Sequence, residues 1–431
     1  MHSVWQSEAE ENRFPSLTEN ITTDVAVIGG GLAGILTAYM LTSHGINCVL
    51  LEKNTVGSGT TAGSSAKITS QHGLIYHKLI KKYGRDNAAL YYKLNQEAAQ
   101  KYRSLAKKFP CALEAKDNFI YSTDNRVEIY AELEALNEIG AEAELFDSLP
   151  LPFPVAGAVC FPNQAQFNPL MLISALAKEL TVYENTCVKE VRGNLVVTDK
   201  GTVKAQKVIV CTHFPFIDRH GLYFMKMYQH RSYMLALENA PLFDGMFLEN
   251  KKDGISMRTS GGLLLIGGGD HRTAKKGGCF EALRRFRKMY FPESSEKYAW
   301  AAQDCITLDS MPYIGRYSPK APDLFVATGF NKWGVTSSVV AAELLYALVT
   351  DRNHPARELF RPDRSMLHPQ LIFNALDSAV GMLTPLPKRC THLGCALRYN
   401  KAEHSRDCSC HGSRFDENGE ILDGPANKRL S

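Results

Sequence analysis

The sequence lacks long apolar runs and any concentration of charge of one sign. No stretch approaches the roughly 18 to 20 uninterrupted apolar residues of a membrane-spanning helix, so we do not expect membrane insertion. The 49 Lys and Arg residues are interspersed with 45 Asp and Glu residues along 431 positions, and the net charge of +4 leaves no basic patch for nucleic acid. Internal repeats are also lacking. What remains is an ordinary globular composition, long enough for two or three domains.

Targeting and disulfide signals are equally scarce. Residues 1–23 are polar and acidic, with neither the apolar core of a secretory signal nor a twin-arginine pair, so we expect a cytoplasmic protein. The 11 cysteines are too few and too scattered for a disulfide scaffold. Four of them nevertheless cluster near the C-terminal end, at Cys390, Cys395, Cys408 and Cys410.

A βαβ pattern opens the chain. A short apolar stretch leads into Gly29, Gly31 and Gly34, which have GxGxxG spacing at the start of a helix-like segment. Glycines in this context allow a tight turn and let a pyrophosphate approach the helix N-terminus. Glu52 ends the next strand, where its carboxylate can accept hydrogen bonds from ribose hydroxyls. An acidic residue there argues against a 2′-phosphate and therefore against NADP.

Two later segments strengthen this interpretation. One loop contains Thr60, Thr61 and Lys67, and a late glycine-containing segment contains Gly329 and Gly334. Together with the first loop, these segments resemble FAD-dependent oxidoreductases of the D-amino acid oxidase, glycine oxidase and sarcosine oxidase type. The resemblance covers about residues 22–350 and implies that FAD is bound by Gly29, Gly31, Gly34, Glu52, Thr60, Thr61, Lys67, Gly329 and Gly334.

The resemblance leaves the substrate open. Amino-acid-oxidising members of the family carry an Arg-Pro pair whose guanidinium holds the substrate carboxylate, whereas Asp304 and Cys305 stand here. Arg258 is the candidate replacement, with a surface arginine as the alternative. Lys67 is a candidate for contacting the pyrophosphate or polarising the flavin edge, and a solvated lysine is its alternative. For His72 we favour a hydrogen-bonded structural role over covalent flavin attachment.

The strongest motif lies near the C-terminal end. Cys390 and His392 have C-x-H spacing, and Cys408 and His411 have C-x-x-H spacing. Two thiolates for one iron and two imidazoles for the other are the ligands of a Rieske [2Fe–2S] cluster. A zinc site with the same four residues is the alternative.

The flanking residues resemble the Rieske proteins of cytochrome bc-type complexes. That resemblance implies a disulfide between Cys395 and Cys410 and a hydrogen bond from Ser413 to a bridging sulfide. Ring-hydroxylating oxygenases lack this second cysteine pair, so the resemblance favours the electron-transfer type. Residues 372–389 do not have a strand pattern, so we expect the base of this module to be short.

These observations predict an α/β fold with a Rossmann-like FAD-binding domain, an antiparallel-sheet substrate domain and a small all-β Rieske module. The predicted boundaries are 22–75, 151–215 and 300–350 for the FAD-binding domain, 76–150 and 216–299 for the substrate domain, 351–388 for a linker and 389–431 for the Rieske module.

The predicted function is the dehydrogenase-like oxidation of a small amine or related substrate by FAD. The [2Fe–2S] cluster then withdraws electrons singly to an unidentified external acceptor, because its two neutral ligands raise its potential. The alternative is an electron-transfer or redox-sensing flavo-iron-sulfur protein without small-molecule turnover. A third possibility is a zinc-stapled module on an amine oxidase.

Overall fold

The computed structural model describes residues 3–8, 12–217 and 221–430, and within these ranges the strands form three sheets. The helices there are α1 (Val4–Glu8), α2 (Leu32–Ser43), α3 (Thr60–Gly63), α4 (Tyr76–Tyr83), α5 (Arg85–Ala106), α6 (Arg126–Glu138), α7 (Pro169–Ala177), α8 (Tyr223–Lys226), α9 (Cys279–Tyr290), α10 (Gly334–Val349), α11 (Arg357–Phe360) and α12 (Pro369–Leu383).

The strands of the same ranges are β1 (Ile21–Ile28), β2 (Cys48–Leu51), β3 (Lys67–Ile68), β4 (Glu114–Ser122), β5 (Glu144–Phe146), β6 (Gly157–Gln166), β7 (Thr181–Tyr183), β8 (Val188–Arg192), β9 (Leu195–Thr198), β10 (Thr202–Val210), β11 (Met227–Glu238), β12 (Met246–Glu249), β13 (Ser256–Ser260), β14 (Leu263–Arg272), β15 (Ser295–Thr307), β16 (Tyr313–Ser318), β17 (Ala321–Thr328), β18 (Leu397–Asn400), β19 (Ser405–Cys408), β20 (Arg414–Phe415) and β21 (Ile421–Asp423).

The first sheet has a parallel centre. Its order is β16-β17-β10-β1-β2-β7, with β16 antiparallel at one edge and the β8–β9 hairpin attached to β10. The end of β1 is a continuous apolar run that is buried on both faces, as is typical of a central parallel strand. Helices α2 and α10 pack in the same core. The Rossmann-like part of the predicted fold class is therefore confirmed.

The second sheet has nine strands, in the order β15-β11-β14-β13-β12-β4-β6-β3 with β5 attached to β6. Its pairs are antiparallel except for β12 and β4. The strands β3, β6 and residues 300–307 of β15 join this sheet although they fall in segments that we assigned to the FAD-binding domain, and the domain boundaries themselves stay a prediction. Apolar strand patterns do not identify the sheet that a strand joins, because this depends on partners that are distant in the chain.

The third sheet is a small antiparallel one, β18-β19-β20-β21, which confirms the predicted all-β module. The preceding segment 351–388, which we predicted to be a linker, contains α11 and α12. Pro369 stands at the first turn of α12, and Nδ1 of His368 accepts a hydrogen bond from the Gln370 N–H at 3.2 Å. The proline therefore begins a helix, where its missing N–H costs nothing, instead of interrupting one.

The small sheet packs on one face of the second sheet through buried polar groups. Gln229, Arg231 and Tyr233 alternate along β11 and so lie on one face. The Arg231 guanidinium forms a two-point ion pair with Glu403, with Nε at 3.0 Å from Oε1, and the Tyr233 hydroxyl donates to the same oxygen at 3.0 Å. Glu403 also accepts from Arg414 Nη2 at 2.8 Å. We call Arg231, Glu403 and Arg414 the docking triad.

The docking triad should dominate the stability of the small module. Burial raises the pKa of Glu403, but Arg231 and Arg414 outweigh it and hold the pKa below its usual range. The substitution Glu403→Gln leaves the buried Arg231 guanidinium without its anion, which costs about 3 kcal/mol, while Arg414 keeps its ion pair with Asp407 at 3.1 Å. We expect the amides of β18 and β19 to exchange with deuterium about 100-fold faster.

The matched control is Arg429→Met, which removes an ion pair with Glu420 within the same module. Those two side chains are 71% and 58% exposed, so the loss should stay below about 1 kcal/mol. Equal exchange rates in the two variants would contradict a dominant role for the triad.

Candidate functional site

A cavity of about 630 Å³ lies where the three sheets meet. Its wall is made mainly by the β1–α2 loop, the loop after β2, strands β11, β14 and β15, and the segment between β17 and α10. Residues 421–427 of the small module complete the wall. The predicted cofactor loops and the predicted cluster module therefore share one cavity.

The first glycine loop is packed too tightly for side chains. Gly29 has a φ of +111°, and a Cβ there would lie 2.6 Å from the Cys211 carbonyl oxygen. A Cβ on Gly34 would lie 1.8 Å from the carbonyl oxygen of Gly29. Gly29 and Gly31 line the cavity, whereas Gly34 does not and instead lets α2 approach the loop. The first turn of α2 is thus held at the cavity wall, where its N–H groups favour a phosphate.

Glu52 lies at the cavity wall, at the end of β2. Its two carboxylate oxygens accept hydrogen bonds from the Gly30 N–H at 2.7 Å and the Asn54 N–H at 2.8 Å. Burial raises the pKa of this carboxyl group, and the two backbone hydrogen bonds oppose the rise. Each oxygen retains a second lone pair for a ribose hydroxyl.

The second predicted loop also reaches the cavity. Thr60, Thr61 and Lys67 all line it, and the Thr61 hydroxyl oxygen accepts a hydrogen bond from the Leu32 N–H at 3.1 Å. Lys67 is buried, and its ammonium donates to the Phe247 carbonyl oxygen at 3.0 Å. Burial, with a smaller contribution from a neighbouring arginine, lowers the pKa of Lys67 to about 7. The solvated-lysine alternative is therefore wrong.

Gly329 and Gly334 belong to the turn that leads into helix α10. Gly329 has a φ of +70° and does not line the cavity, and a Cβ there would lie 2.3 Å from Thr307 Cγ2. Asn331 donates to the Gly329 carbonyl oxygen at 2.8 Å and accepts from the Thr307 N–H at 2.8 Å. Gly334 lines the cavity and begins α10.

These residues fit FAD. Two helix N-termini, a glycine loop that excludes side chains and a carboxylate with accepting capacity all meet at one cavity. When bound, FAD would be held by the two loops, with its ribose at Glu52 and its phosphates at the start of α2.

Arg258 does not reach this cavity. It is not among the lining residues, and its guanidinium carbon lies 4.9 Å from the ring centroid of Trp5. Burial lowers the pKa of Arg258 to about 9, against the opposing charges of Glu114 and Glu8. Arg258 is neither the surface arginine that we considered nor placed to hold a substrate carboxylate.

A polar group that sequence reasoning missed lines the cavity instead. Lys332 forms an ion pair with Asp270 and donates to the Ser232 hydroxyl at 3.0 Å. That hydroxyl donates to Asp304 at 3.4 Å, and burial raises the pKa of Asp304. The cation of Lys332 is already neutralised. Of this group, the sequence pointed only to Asp304, because it stands where the amino-acid-oxidising members of the family have the Arg of their Arg-Pro pair.

His72 lines the cavity but is fully hydrogen bonded. Nδ1 lies 2.6 Å from the Tyr91 hydroxyl, and Nε2 lies 2.9 Å from the Thr69 carbonyl oxygen. The imidazole stacks on Trp333 at 4.8 Å between centroids, and burial lowers the pKa of His72 to about 3. This is the structural role that we predicted.

The cluster motif folds into two matching loops. The Gly394 N–H donates to the Cys390 carbonyl oxygen at 2.9 Å, and the Gly412 N–H donates to the Cys408 carbonyl oxygen at 3.0 Å. The two glycines have φ values of +75° and +76°. Each loop therefore turns back on its cysteine in the same way.

The four predicted ligands converge at the ends of these loops. Cys390, Cys408 and His411 are buried, and the rings of His392 and His411 lie 5.0 Å apart between centroids. Two thiols and two imidazoles brought together in this way fit a Rieske cluster, which would be held by all four. Ser413 Oγ accepts a hydrogen bond from the Ala426 N–H at 3.1 Å and so joins the second loop to the cavity-lining segment.

The second cysteine pair lies beside these ligands. The thiols of Cys395, Cys408 and Cys410 lie within 4.8 Å of one another. Cys395 and Cys410 are free thiols in the structure, so the disulfide between them stays a prediction.

The second cluster loop is also held from outside the module. Nε2 of Gln229 donates to the His411 carbonyl oxygen at 2.9 Å, and Nε2 of Gln303 donates to the Gly412 carbonyl oxygen at 2.8 Å. The ring of Phe224 meets the His411 imidazole edge-on at 5.6 Å. Sequence reasoning missed these residues, since Gln229 and Gln303 stand among other polar residues of β11 and β15 and nothing in their spacing marks them.

No helix among the described residues is long and apolar enough to cross a membrane.

Family comparisons agree with both halves of the site. Residues 24–348 match the DAO family of FAD-dependent oxidoreductases, and residues 366–431 match the Rieske [2Fe-2S] domain. The chain is 34% identical over 491 aligned residues to the Rieske 2Fe-2S iron-sulfur protein YhfW of Bacillus subtilis, covering 99% of the chain and 96% of that protein. It is 24% identical to the gamma-glutamylputrescine oxidoreductase of Escherichia coli, over 78% of the chain and 85% of that protein.

Solved structures show the same flavoenzyme fold. Glycine oxidase from Geobacillus kaustophilus superposes with a TM-score of 0.68 at 20% identity, covering 80% of this chain and 99% of the other. L-proline dehydrogenase from P. horikoshii has a TM-score of 0.67 at 17% identity, and the match covers 81% of this chain and 98% of the other. The chain therefore belongs to the DAO family of FAD-dependent oxidoreductases and carries a C-terminal Rieske domain, so its cofactors are FAD and a [2Fe–2S] cluster and the zinc alternative is wrong.

Proposed function

We propose that this oxidoreductase removes two electrons from a small amine or related substrate and passes them singly to an external acceptor. The observation that carries the proposal is the shared cavity, whose wall combines the FAD loops with residues 421–427 of the Rieske module. When bound, FAD supplies two-electron chemistry and the cluster supplies one-electron chemistry.

The contacts of the second sheet support a short route between the two cofactors. Ser232 and Asp304 face the cavity from β11 and β15, while Gln229 and Gln303 on the same strands hold the His411 loop. One layer of strands therefore separates the cavity from a cluster ligand. The docking triad keeps the module in this position.

The charges of the cavity support an amine without an α-carboxylate. Lys332 is paired with Asp270, and Asp304 lines the cavity. By the sequence resemblance, its carboxyl group replaces the arginine of the amino-acid oxidases. A carboxylate on the substrate would meet repulsion here, whereas an ammonium group would not.

A test begins with anaerobic purification and quantification of iron, sulfide and flavin. Amines with and without an α-carboxylate are then added under anaerobic conditions. Flavin bleaching followed by a Rieske-type EPR signal supports the proposal. Bleaching without reduction of an iron-loaded cluster would contradict the electron route.

Removal of the cluster should separate substrate oxidation from acceptor reduction. In Cys408→Ser one iron loses a thiolate ligand, so we expect iron content to fall below about a tenth of the parent level. Amines should still bleach the flavin, whereas turnover with a one-electron acceptor should fall at least about 100-fold.

The control is Cys279→Ser, a half-buried cysteine that lies outside the module and does not line the cavity, and this variant should keep both activities. Undiminished acceptor turnover in an iron-free Cys408→Ser protein would contradict the relay.

Lys67 should give flavin reduction a pH dependence. Because burial lowers its pKa to about 7, Lys67 is protonated below pH 7 and neutral above it in the folded protein. We propose that the protonated form stabilises the negative charge that the flavin gains on reduction. We therefore expect the flavin of the parent protein to be reduced about 10 times faster than that of Lys67→Met at pH 6. At pH 9 the two rates should be about equal.

Lys189→Met is the matched control, since Lys189 also lines the cavity but is exposed. The ratio of the flavin reduction rate of the parent to that of Lys189→Met should stay constant over the same pH range. A flat ratio for Lys67→Met would exclude the proposed role.

A second candidate is an electron-transfer or redox-sensing protein without small-molecule turnover. The observation in its favour is that neither Arg258 nor Lys332 is placed to hold a substrate carboxylate. Amine-dependent bleaching would exclude it. Flavin that is reduced only by a protein partner, with no amine active, would favour it.

A further inference from the structure

Helix α12 is packed with its polar and small residues inward. Asn374 and Gly381 are buried, and the side chain of Asn374 is only 3% exposed. The outward face is apolar, with Ile372 at 64%, Phe373 at 59%, Leu376 at 56%, Val380 at 55% and Leu383 at 82% exposed. A surface helix normally has the reverse arrangement.

The inward contacts hold α12 in this orientation. Asn374 Nδ2 donates to the Met225 carbonyl oxygen at 3.3 Å, and the Gly381 carbonyl oxygen accepts from the Ala396 N–H at 2.8 Å. Asp377 lies 3.0 Å from an Arg272 nitrogen in an ion pair. Rotation that buried the apolar face would break all three interactions.

The spacing of the outward residues is that of a helix–helix seam. Phe373, Leu376, Val380 and Leu383 follow one another at intervals of three, four and three residues, as at the a and d positions of a coiled coil. Each of these four side chains is more than half exposed, so the seam forms one continuous apolar surface along the helix.

Charge decides between the possible occupants. Asp377 is the charged residue of α12, and its ion pair lies on the inward side. Helices that lie on membranes carry Lys or Arg on their polar face, and α12 has neither. Transient redox partners rely on complementary charge, which the outward face does not offer. An uncharged apolar face of this kind is typical of the interface between identical subunits.

We propose that α12 pairs with α12 of a second copy of this chain, so that the protein is a dimer. Such an interface is self-complementary and closes at two copies. Because the inward side of α12 contacts the segment between Cys395 and the cluster strands, the pairing brings the two Rieske modules of the dimer together.

The test is sedimentation velocity of the full-length holoprotein with and without the double substitution Leu376→Glu and Val380→Glu. Both side chains are more than half exposed, and glutamate is a good helix former, so the fold should persist. We expect a dimer for the parent protein and at least a 100-fold higher dissociation constant for the variant. The control is Val127→Glu with Met289→Glu, at apolar positions that are 78% and 71% exposed on other helices, and it should stay dimeric.

A second measurement does not depend on disrupting the helix. Phe373 is replaced by photoreactive benzoylphenylalanine, and irradiation should give a product of twice the chain mass with its cross-link in α12. A monomeric parent at 10 to 100 times the protein concentration used for activity, or a dimer that survives the double substitution, would overturn the proposal. So would a cross-link outside α12, or a monomer that co-sediments with anionic lipid vesicles through this face.

Discussion

The buried ion-pair network of Arg231, Glu403 and Arg414 is the interaction on which the arrangement of the two cofactor sites depends. Glu403 belongs to the small module, and Arg231 belongs to β11 of the flavoprotein. Forming such a buried network gives little stability over an apolar packing of the same shape, because the loss of hydration offsets the attraction, whereas removing one of its charges is costly. The geometry is nevertheless demanding, since any other placement of the module would leave charges buried without partners. The network therefore selects one orientation of the module.

That orientation follows from strand alternation in β11. Residues at odd positions, including Gln229 and Arg231, face the Rieske module, while Ser232 faces the cavity. Successive side chains of a strand point to opposite faces of its sheet, so this one strand contributes side chains to both sites. A one-residue shift of register would exchange the two faces and disconnect both sites at once.

Much of this organisation could be predicted from the sequence because it depends on local patterns. The glycine loop, Glu52 and the four cluster ligands each stand at the spacing that their chemistry requires. The structure places Glu52 and most of the loop at the cavity and brings the four cluster residues together, while their roles as ligands stay predictions. The contacts of Gln229 and Gln303 could not be predicted, because they join strands to a loop more than 100 residues distant in the chain. The role of Arg258 was predicted incorrectly for the same reason. Its sequence shows a cation in a hairpin, and only the fold shows that Trp5 covers it.

The exposed face of α12 has its origin in the same demand for close packing around the cluster. A Cβ on Gly381 would lie 2.5 Å from the Cys410 thiol, so this side of the helix must be small to approach the loop. Asn374 is needed on that side as well, to satisfy a buried carbonyl group. Once the inward positions are taken by small and polar residues, the apolar residues that make α12 stable can lie only outward. Such an apolar surface is costly in water, and a helix with this composition is stabilised when a second helix covers it.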